Sequence, residues 1–395
     1  MLALLVLLVI AAGVVAGVRY TGVVPPATFQ AQVADSAALP GADAPLPWPT
    51  VGSAAVAVEG IGTVATYGGT SPQAIASIAK VMTAEVILTD HPLTAGESGP
   101  EITFSASDVQ TYQTDLAQSQ SVVPVVAGES LSELQCLEAM LIPSANNIAV
   151  KLAQWDSSSV TAFVAKMNAE AKTLGMTSTT YTDPSGYQST TISNSTDLIK
   201  LGETVMDNPV FASIVQMPQV TLPQASTVYN YDYDLGRDGI VGIKTGSDSA
   251  AGGCFLFESV DKVGPRQIKL VGVILGQQTS SPITAALNEA EALVSPVLAR
   301  LQTLQAVQGD LMVGHISAPW ASTVSVSTTS PMSVFGWAGQ RFPLVLHGPT
   351  KLTLPIKPGE RLGTLVLEVP GHPQSTPVVA DGAINGPSAS WKLER

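Results

Sequence analysis

Ala76-Ser77-Ile78-Ala79-Lys80 opens a mostly apolar segment that runs to Leu88. Ile78, Val81, Met82, Ala84 and Leu88 recur there at i, i+3 and i+4 spacings, and no Gly or Pro interrupts before Pro92. The spacing predicts a helix over 78–88. On such a helix a hydroxyl in the first turn and an amine three residues later share one face. A serine hydroxyl is a poor nucleophile until a base removes its proton, and a lysine amine serves as that base once its pKa is depressed. The helix start adds unpaired N–H groups and a positive dipole end beside Ser77, which favour a developing anion. Ser-x-x-Lys alone also describes an N-cap serine followed by a surface lysine, so the reading needs further stretches to complete it.

Two such stretches are present. Ser144-Ala145-Asn146 falls in a break between two helical patterns, one expected over 130–141 and one from Ile148 onward. Ser130-Leu131-Ser132-Glu133 marks the first of these as a capping-box start. Lys244-Thr245-Gly246 ends a short strand that begins at Ile240, where Lys244 reads as an exposed lysine. The surroundings are of one kind. Residues 54–59 and 63–66 alternate as two strands around Gly60-Ile61-Gly62, and 252–257 and 268–275 are two more, giving an antiparallel meander. Helical patterns run on to Leu174 with Gly175 as a C-cap, and recur over 195–206 and 283–295, where Pro296 kinks or splits the last before the apolar pattern resumes to Leu304. Past Val307 the helical periodicity stops. Short β runs replace it over 323–326, 344–346, 352–354 and 362–367, the pattern of a separate small all-β domain.

Composition narrows the function. A charged fraction of 12% and a net charge of −13 leave few cations to neutralise phosphates, which argues against nucleic acid while leaving room for a locally bound anion. The four histidines form no His-x-x-x-His pair and no Cys-x-x-Cys is present, so neither a metal nor another cofactor is expected. Only His91 precedes the C-terminal third, which leaves a Ser-His-Asp triad little to work with. Cys136 and Cys254 lie far apart in apolar stretches and read as two buried thiols, with a disulfide between them left open. Residues 2–18 are an almost unbroken apolar run, a signal peptide or a membrane anchor, with the anchor preferred because no small-x-small site follows it. Residues 21–50, rich in Pro and Ala, read as an extended linker.

The three stretches Ser77-Ile78-Ala79-Lys80, Ser144-Ala145-Asn146 and Lys244-Thr245-Gly246 match the signature shared by β-lactamases and penicillin-binding proteins. Across roughly residues 49–297 the chain resembles the D-alanyl-D-alanine carboxypeptidases among the low-molecular-mass penicillin-binding proteins. Gly175-Met176, Asp183-Pro184-Ser185-Gly186 and the run 238–246 are part of that likeness. The resemblance implies an α/β fold with a helical subdomain, an antiparallel sheet flanked by helices, over 51–304, and a β-rich domain over 305–395 after the segments 1–20 and 21–50. It implies Ser77 as the acylated nucleophile, Lys80 as its base, Ser144 as a proton relay and Asn146 as the amide that holds substrate and Lys80. It implies Lys244 and Thr245 as receivers of a terminal carboxylate, Gly246 as room for substrate, and the N–H groups of Ser77 and Ser247 as an oxyanion hole. The partners implied are a peptidoglycan stem peptide, β-lactams as inhibitors and the membrane through the N-terminal segment, at its extracytoplasmic face. A β-lactamase on the same fold would need a Glu to activate the deacylating water, and around Asp183 no Glu-x-x-x-Asn occurs. A non-catalytic cell-wall scaffold would be favoured by loss of Ser77, Lys80 or Lys244, and all three are present.

Overall fold

Five antiparallel strands form the sheet on which the three stretches are hung, in the order Ile240–Asp248, Gly252–Val263, Arg266–Gln277, Ser53–Val58, Gly62–Tyr67. The computed structural model describes residues 2–41 and 45–394. Every residue of Ser53–Val58 is buried, as expected of a central strand covered on both faces. Side chains alternate across the sheet. Ile243, Leu256, Val271, Val273 and Leu275 join a core shared with the helices, while the buried Phe255 and Phe257 stack 5.3 Å apart on the other face. Helix Ser195–Met206 approaches so closely that a Cβ on Gly202 would lie 2.8 Å from Val271 Cγ1 and 2.9 Å from Leu256 Cδ1. Helix Pro282–Leu298 also packs on the sheet and retains Pro296 within its length.

The helix that follows Ser77, Ala79–Asp90, buries residues all round its circumference, which explains why its sequence is apolar without a polar stripe. It packs against helices Glu133–Leu141, Asn146–Ser157, Val160–Thr173 and Ser195–Met206. The helical start expected at Ser130 is displaced. Ser130–Ser132 is a strand paired with Glu101–Thr103, and the capping box is made instead by Ser132 and Gln135. Both boxes are legible in Ser130-Leu131-Ser132-Glu133-Leu134-Gln135, and the strand partner claims the first. The sheet strands also run longer than the expected 252–257 and 268–275, so that the turn between them shrinks to Gly264 and Pro265.

The chain forms two compact units, residues 45–299 and the described residues of 1–44 and 300–395. Here the linker expected over 21–50 is corrected. Thr28–Ala31 pairs with Met312–Ala318, and Ser36–Ala38 pairs with Arg341–His347. They are the two edges of a seven-stranded antiparallel sheet whose inner strands are Met312–Ala318, Ala321–Thr328, Gln374–Ala380, Arg361–Leu367 and Arg341–His347. Such short segments need no apolar run of their own, because an existing sheet satisfies their backbone groups. Leu39, 2% exposed, anchors them in the core of this unit. Residues 352–354, expected as a strand, form none, and only Ile356 bridges to Ile384 beyond them. The apolar N-terminal run is a helix, Leu2–Thr21, long and apolar enough to cross a membrane by length and composition. Cys136 and Cys254 are both free and buried.

Candidate active site

Ser77 sits in a single 3₁₀ turn, Ala76–Ile78, directly before helix Ala79–Asp90. Lys80 follows in the first turn of that helix and is fully buried. Its Nζ donates to Ser77 Oγ at 2.8 Å and to the carbonyl of Ser185 at 2.9 Å. Burial, and then the charge of Lys244, hold its pKa well below the ordinary lysine value, against an opposing pull from Asp183. A neutral amine carries a lone pair, so the same 2.8 Å contact lets the Ser77 O–H become the donor. An amine whose pKa is lowered thus stands within hydrogen-bond distance of the Ser77 hydroxyl.

The second acceptor of Lys80 comes from a loop that looks like an ordinary turn by its residues. Asp183 accepts from Ser185 N, Ser185 Oγ, Tyr187 N and Thr191 Oγ1, at 2.6–3.1 Å. Thr83 Oγ1 donates to the Pro184 carbonyl at 2.7 Å, tying the loop to the serine-bearing helix. Gly186 has φ +79°, and a Cβ there would lie 1.8 Å from the Ala76 carbonyl oxygen. Only glycine permits that approach. The loop's contribution to the site is made by backbone, which its side chains do not announce.

Ser144 adopts a left-handed φ of +64°, a strained conformation for a non-glycine residue, costing about 1–3 kcal/mol. Its Oγ is buried and without a hydrogen-bond partner among the described residues. Asn146 opens helix Asn146–Ser157, which packs on the serine-bearing helix. Its Nδ2 donates to Gln120 Oε1 at 2.6 Å, and its Oδ1 is buried and bare. Neither side chain hydrogen-bonds Ser77 or Lys80 directly. The bond to Lys80 implied for Asn146 is made by the Ser185 carbonyl instead.

Lys244 and Thr245 lie on the edge strand Ile240–Asp248. Lys244 is 2% exposed, so the expectation of an exposed strand-end lysine is corrected. Burial pushes its pKa down to about 7, and the charge of Asp232 opposes that fall. Among the described residues its Nζ donates to the Thr245 carbonyl alone, at 3.1 Å. Gly246 stands against the serine turn, where a Cβ would lie 2.8 Å from Ser77 N and 3.2 Å from Ile78 N. Any side chain at 246 would therefore fill the space beside the serine. Ser77, Lys80, Lys244 and Gly246 are brought into one cleft by these relations, with Ser247 half-buried beyond Gly246 on the same strand.

The profile of the D-alanyl-D-alanine carboxypeptidases matches residues 61–279, a stretch that contains every residue of this cleft. The chain belongs to that family. The D-alanyl-D-alanine carboxypeptidase DacB2 of Mycobacterium tuberculosis is 38% identical over 152 residues, covering 36% of this chain and 52% of that protein. DacF of Bacillus subtilis, also a D-alanyl-D-alanine carboxypeptidase, is 24% identical over 310 residues, covering 75% of this chain and 76% of that one. The chain thus spans about half the length of the first relative and three quarters of the second. Penicillin binding protein 5 from Haemophilus influenzae shares the fold, with a TM-score of 0.63 at 18% identity over 87% of this chain and all of that one. In this carboxypeptidase-family chain the missed contributors are Ser185, Gly186, Thr83 and Asp232. The first two act through backbone, and the last two sit where the sequence shows only a helix interior and a turn-rich run.

Proposed function

We propose that this chain is a serine-type D-Ala-D-Ala carboxypeptidase that removes the terminal D-Ala from peptidoglycan stem peptides and is acylated by β-lactams at the same serine. One observation carries the reading: a fully buried lysine, held toward neutrality, 2.8 Å from the hydroxyl of Ser77. Ser77 Oγ attacks the penultimate D-Ala carbonyl as Lys80 takes its proton. The negative charge on the carbonyl oxygen falls to the N–H groups of Ser77 and Ser247, and in comparable acyl-transfer sites one such donor is worth about 2.7–4 kcal/mol. The C–N bond then breaks, and the bare Ser144 Oγ is the hydroxyl through which a proton reaches the leaving amine. Lys244 and Thr245 receive the terminal carboxylate, and water later hydrolyses the acyl-serine ester.

With the carboxylate at Lys244 and the carbonyl beside Ser77 and Gly246, the acyl half of the substrate runs on toward Asp248. A groove of about 520 Å³ lies there, lined by Tyr187, Gln188, Ser189, Thr190, Asp248, Ser249 and Ala250, with room for the stem peptide. The N-terminal helix would hold the protein at the extracytoplasmic face of the cell membrane, where that substrate lies. Release of free D-alanine from an N-acyl-L-Lys-D-Ala-D-Ala peptide tests the activity. The intact chain releases it and Ser77→Ala does not; equal release by both would sink the assignment.

A further inference from the structure

The five-stranded sheet carries a second concave site besides the serine cleft. A cavity of about 140 Å³ is lined by Glu203 and Asp207 from the end of helix Ser195–Met206, and by Glu59, Glu258, Lys269 and Val271 from the sheet side. Strand register sets it apart from the serine. Glu258 pairs with Gly242 and Val271, and Lys269 with Val260, toward the turn at Gly264 and Pro265. Gly246, which stands against Ser77, pairs instead with Cys254. Alternation along Gly252–Val263 puts Glu258 on the same face as Leu256, which joins the core shared with the helices. A carboxylate thus stands where the strand pattern calls for an apolar side chain.

That carboxylate has no partner of its own. Glu258 is 5% exposed and makes neither a hydrogen bond nor an ion pair among the described residues, and it lines the cavity. Burying an unpaired carboxylate is costly, and native structures rarely leave one without a partner. The single lysine present is engaged elsewhere, with Lys269 Nζ 3.3 Å from Glu59 Oε1. Glu203 and Asp207 sharpen the imbalance. They lie in the last turn and at the C-cap of a helix, where the negative end of the dipole disfavours acids and favours cations. One positive charge in the cavity would relieve both the buried carboxylate and the helix end.

The arrangement of the carboxylates says which kind of cation fits. Among the described residues no three acidic, His or Cys side chains converge closely enough to hold a metal ion. A compact ammonium is likewise a point charge. A guanidinium is a plane with five N–H donors in a fixed fork, and it reaches separated carboxylates at once. We propose that this cavity binds a guanidinium group, with the buried Glu258 at its floor and the exposed Glu59, Glu203 and Asp207 at its rim. A small molecule and an arginine side chain of a peptide both present that group. Binding should strengthen with pH. Burial raises the Glu258 pKa to about 7, Lys269 opposes the rise, and Glu59 and Asp207 add to it. Glu203 is raised too, by burial and then by Asp207 and Glu59. A cation needs these groups ionised, so affinity should climb as pH passes upward through that value.

The test is calorimetric titration of the full chain with methylguanidinium at constant ionic strength, at pH 6 and pH 8. Saturable one-to-one binding is expected at pH 8, weaker at pH 6, and roughly tenfold weaker at pH 8 in Glu258→Gln. Methylammonium and calcium should both bind more weakly than methylguanidinium. The peptide acetyl-Gly-Arg-Gly-amide separates the two sources. Binding as tight as that of methylguanidinium supports the site and assigns it to a peptide arginine; binding of the free cation alone supports it and assigns it to a small molecule. Should Glu258→Gln fail to fold, Glu203→Gln on the exposed helix end asks the same question. No saturable binding at pH 8, equal binding by the parent and the Gln variant, or tighter binding of calcium or methylammonium overturns the proposal.

Discussion

The regions around Lys80 and Lys244 begin from the same physical problem and solve it in opposite ways. Each places a lysine in the interior, where desolvation favours the neutral amine. Around Lys80 the charge that acts most strongly is the positive Lys244, which adds to that push, and Asp183, which opposes it, already accepts from four donors. Around Lys244 the protein opposes the push with Asp232, whose Oδ2 is left bare. In the proposed mechanism the two identical side chains serve as base and anion binder, and what separates their surroundings is a positive neighbour that lowers the pKa of one and a negative neighbour that raises that of the other. A buried lysine alone says little about its task; the sign of the charge that acts on it says more.

Removing each amine should separate the two tasks, with the larger loss at Lys80. General-base catalysis is worth typically about 10²–10⁴-fold. Lys80→Ala should therefore cut acylation of Ser77 by about that factor and abolish the rising limb of the pH profile, measured by single-turnover acylation. A loss below about tenfold would move the base elsewhere.

Lys244→Ala should be milder in rate and different in kind. A charge-assisted hydrogen bond is worth about 1.5–3 kcal/mol, roughly ten- to a hundredfold in kcat/KM for a D-Ala-D-Ala peptide. The rising limb should also move to higher pH, because the charge that depresses Lys80 is gone. Stability should respond to pH as well. Asp232, already raised to about 7, would lose its attraction to Lys244 and rise further. A carboxyl whose folded pKa is raised gives stability at low pH that is lost as pH climbs through that value. Removal of Lys244, itself lowered to about 7, also relieves a penalty that is largest at low pH, so the Tm of Lys244→Ala relative to the parent should fall between about pH 6 and about pH 8. An equal Tm at both pH values, with kcat/KM unchanged, would assign Lys244 no part in either task.

The chemistry-bearing side chains were legible because their signals are local. Ser77 and Lys80 share a helix face by spacing alone, and the glycine in Lys244-Thr245-Gly246 marks a close approach that the structure places against Ser77 N. What escaped the sequence was either backbone or distant. The Ser185 carbonyl and the Gly186 contact with Ala76 carry no side-chain mark. Asp232 lies in a turn-rich run where an Asp is ordinarily solvated, and its burial depends on the loop that Asn230 anchors. The burial of Lys244 is likewise a product of tertiary packing. Thr28–Ala31 and Ser36–Ala38 are strands only because partners near residues 312–318 and 341–347 wait for them, a pairing that local composition, rich in Pro and Ala, hides. The meander from Ile240 to Gln277 was plain because its partners adjoin one another in sequence, and the outcome was longer strands than expected.

In the proposed mechanism Ser77 is the nucleophile and a neutral Lys80 makes it one. Intact-mass analysis after incubation with benzylpenicillin, followed by peptide mapping, tests it most directly. A single covalent adduct of one drug mass is expected on the peptide that carries Ser77. Adduct formation should accelerate with rising pH along a limb well below the ordinary lysine value of 10.5. Folded protein that takes up no drug at saturation, or that takes it up on a residue other than Ser77, would rule out Ser77 as the nucleophile.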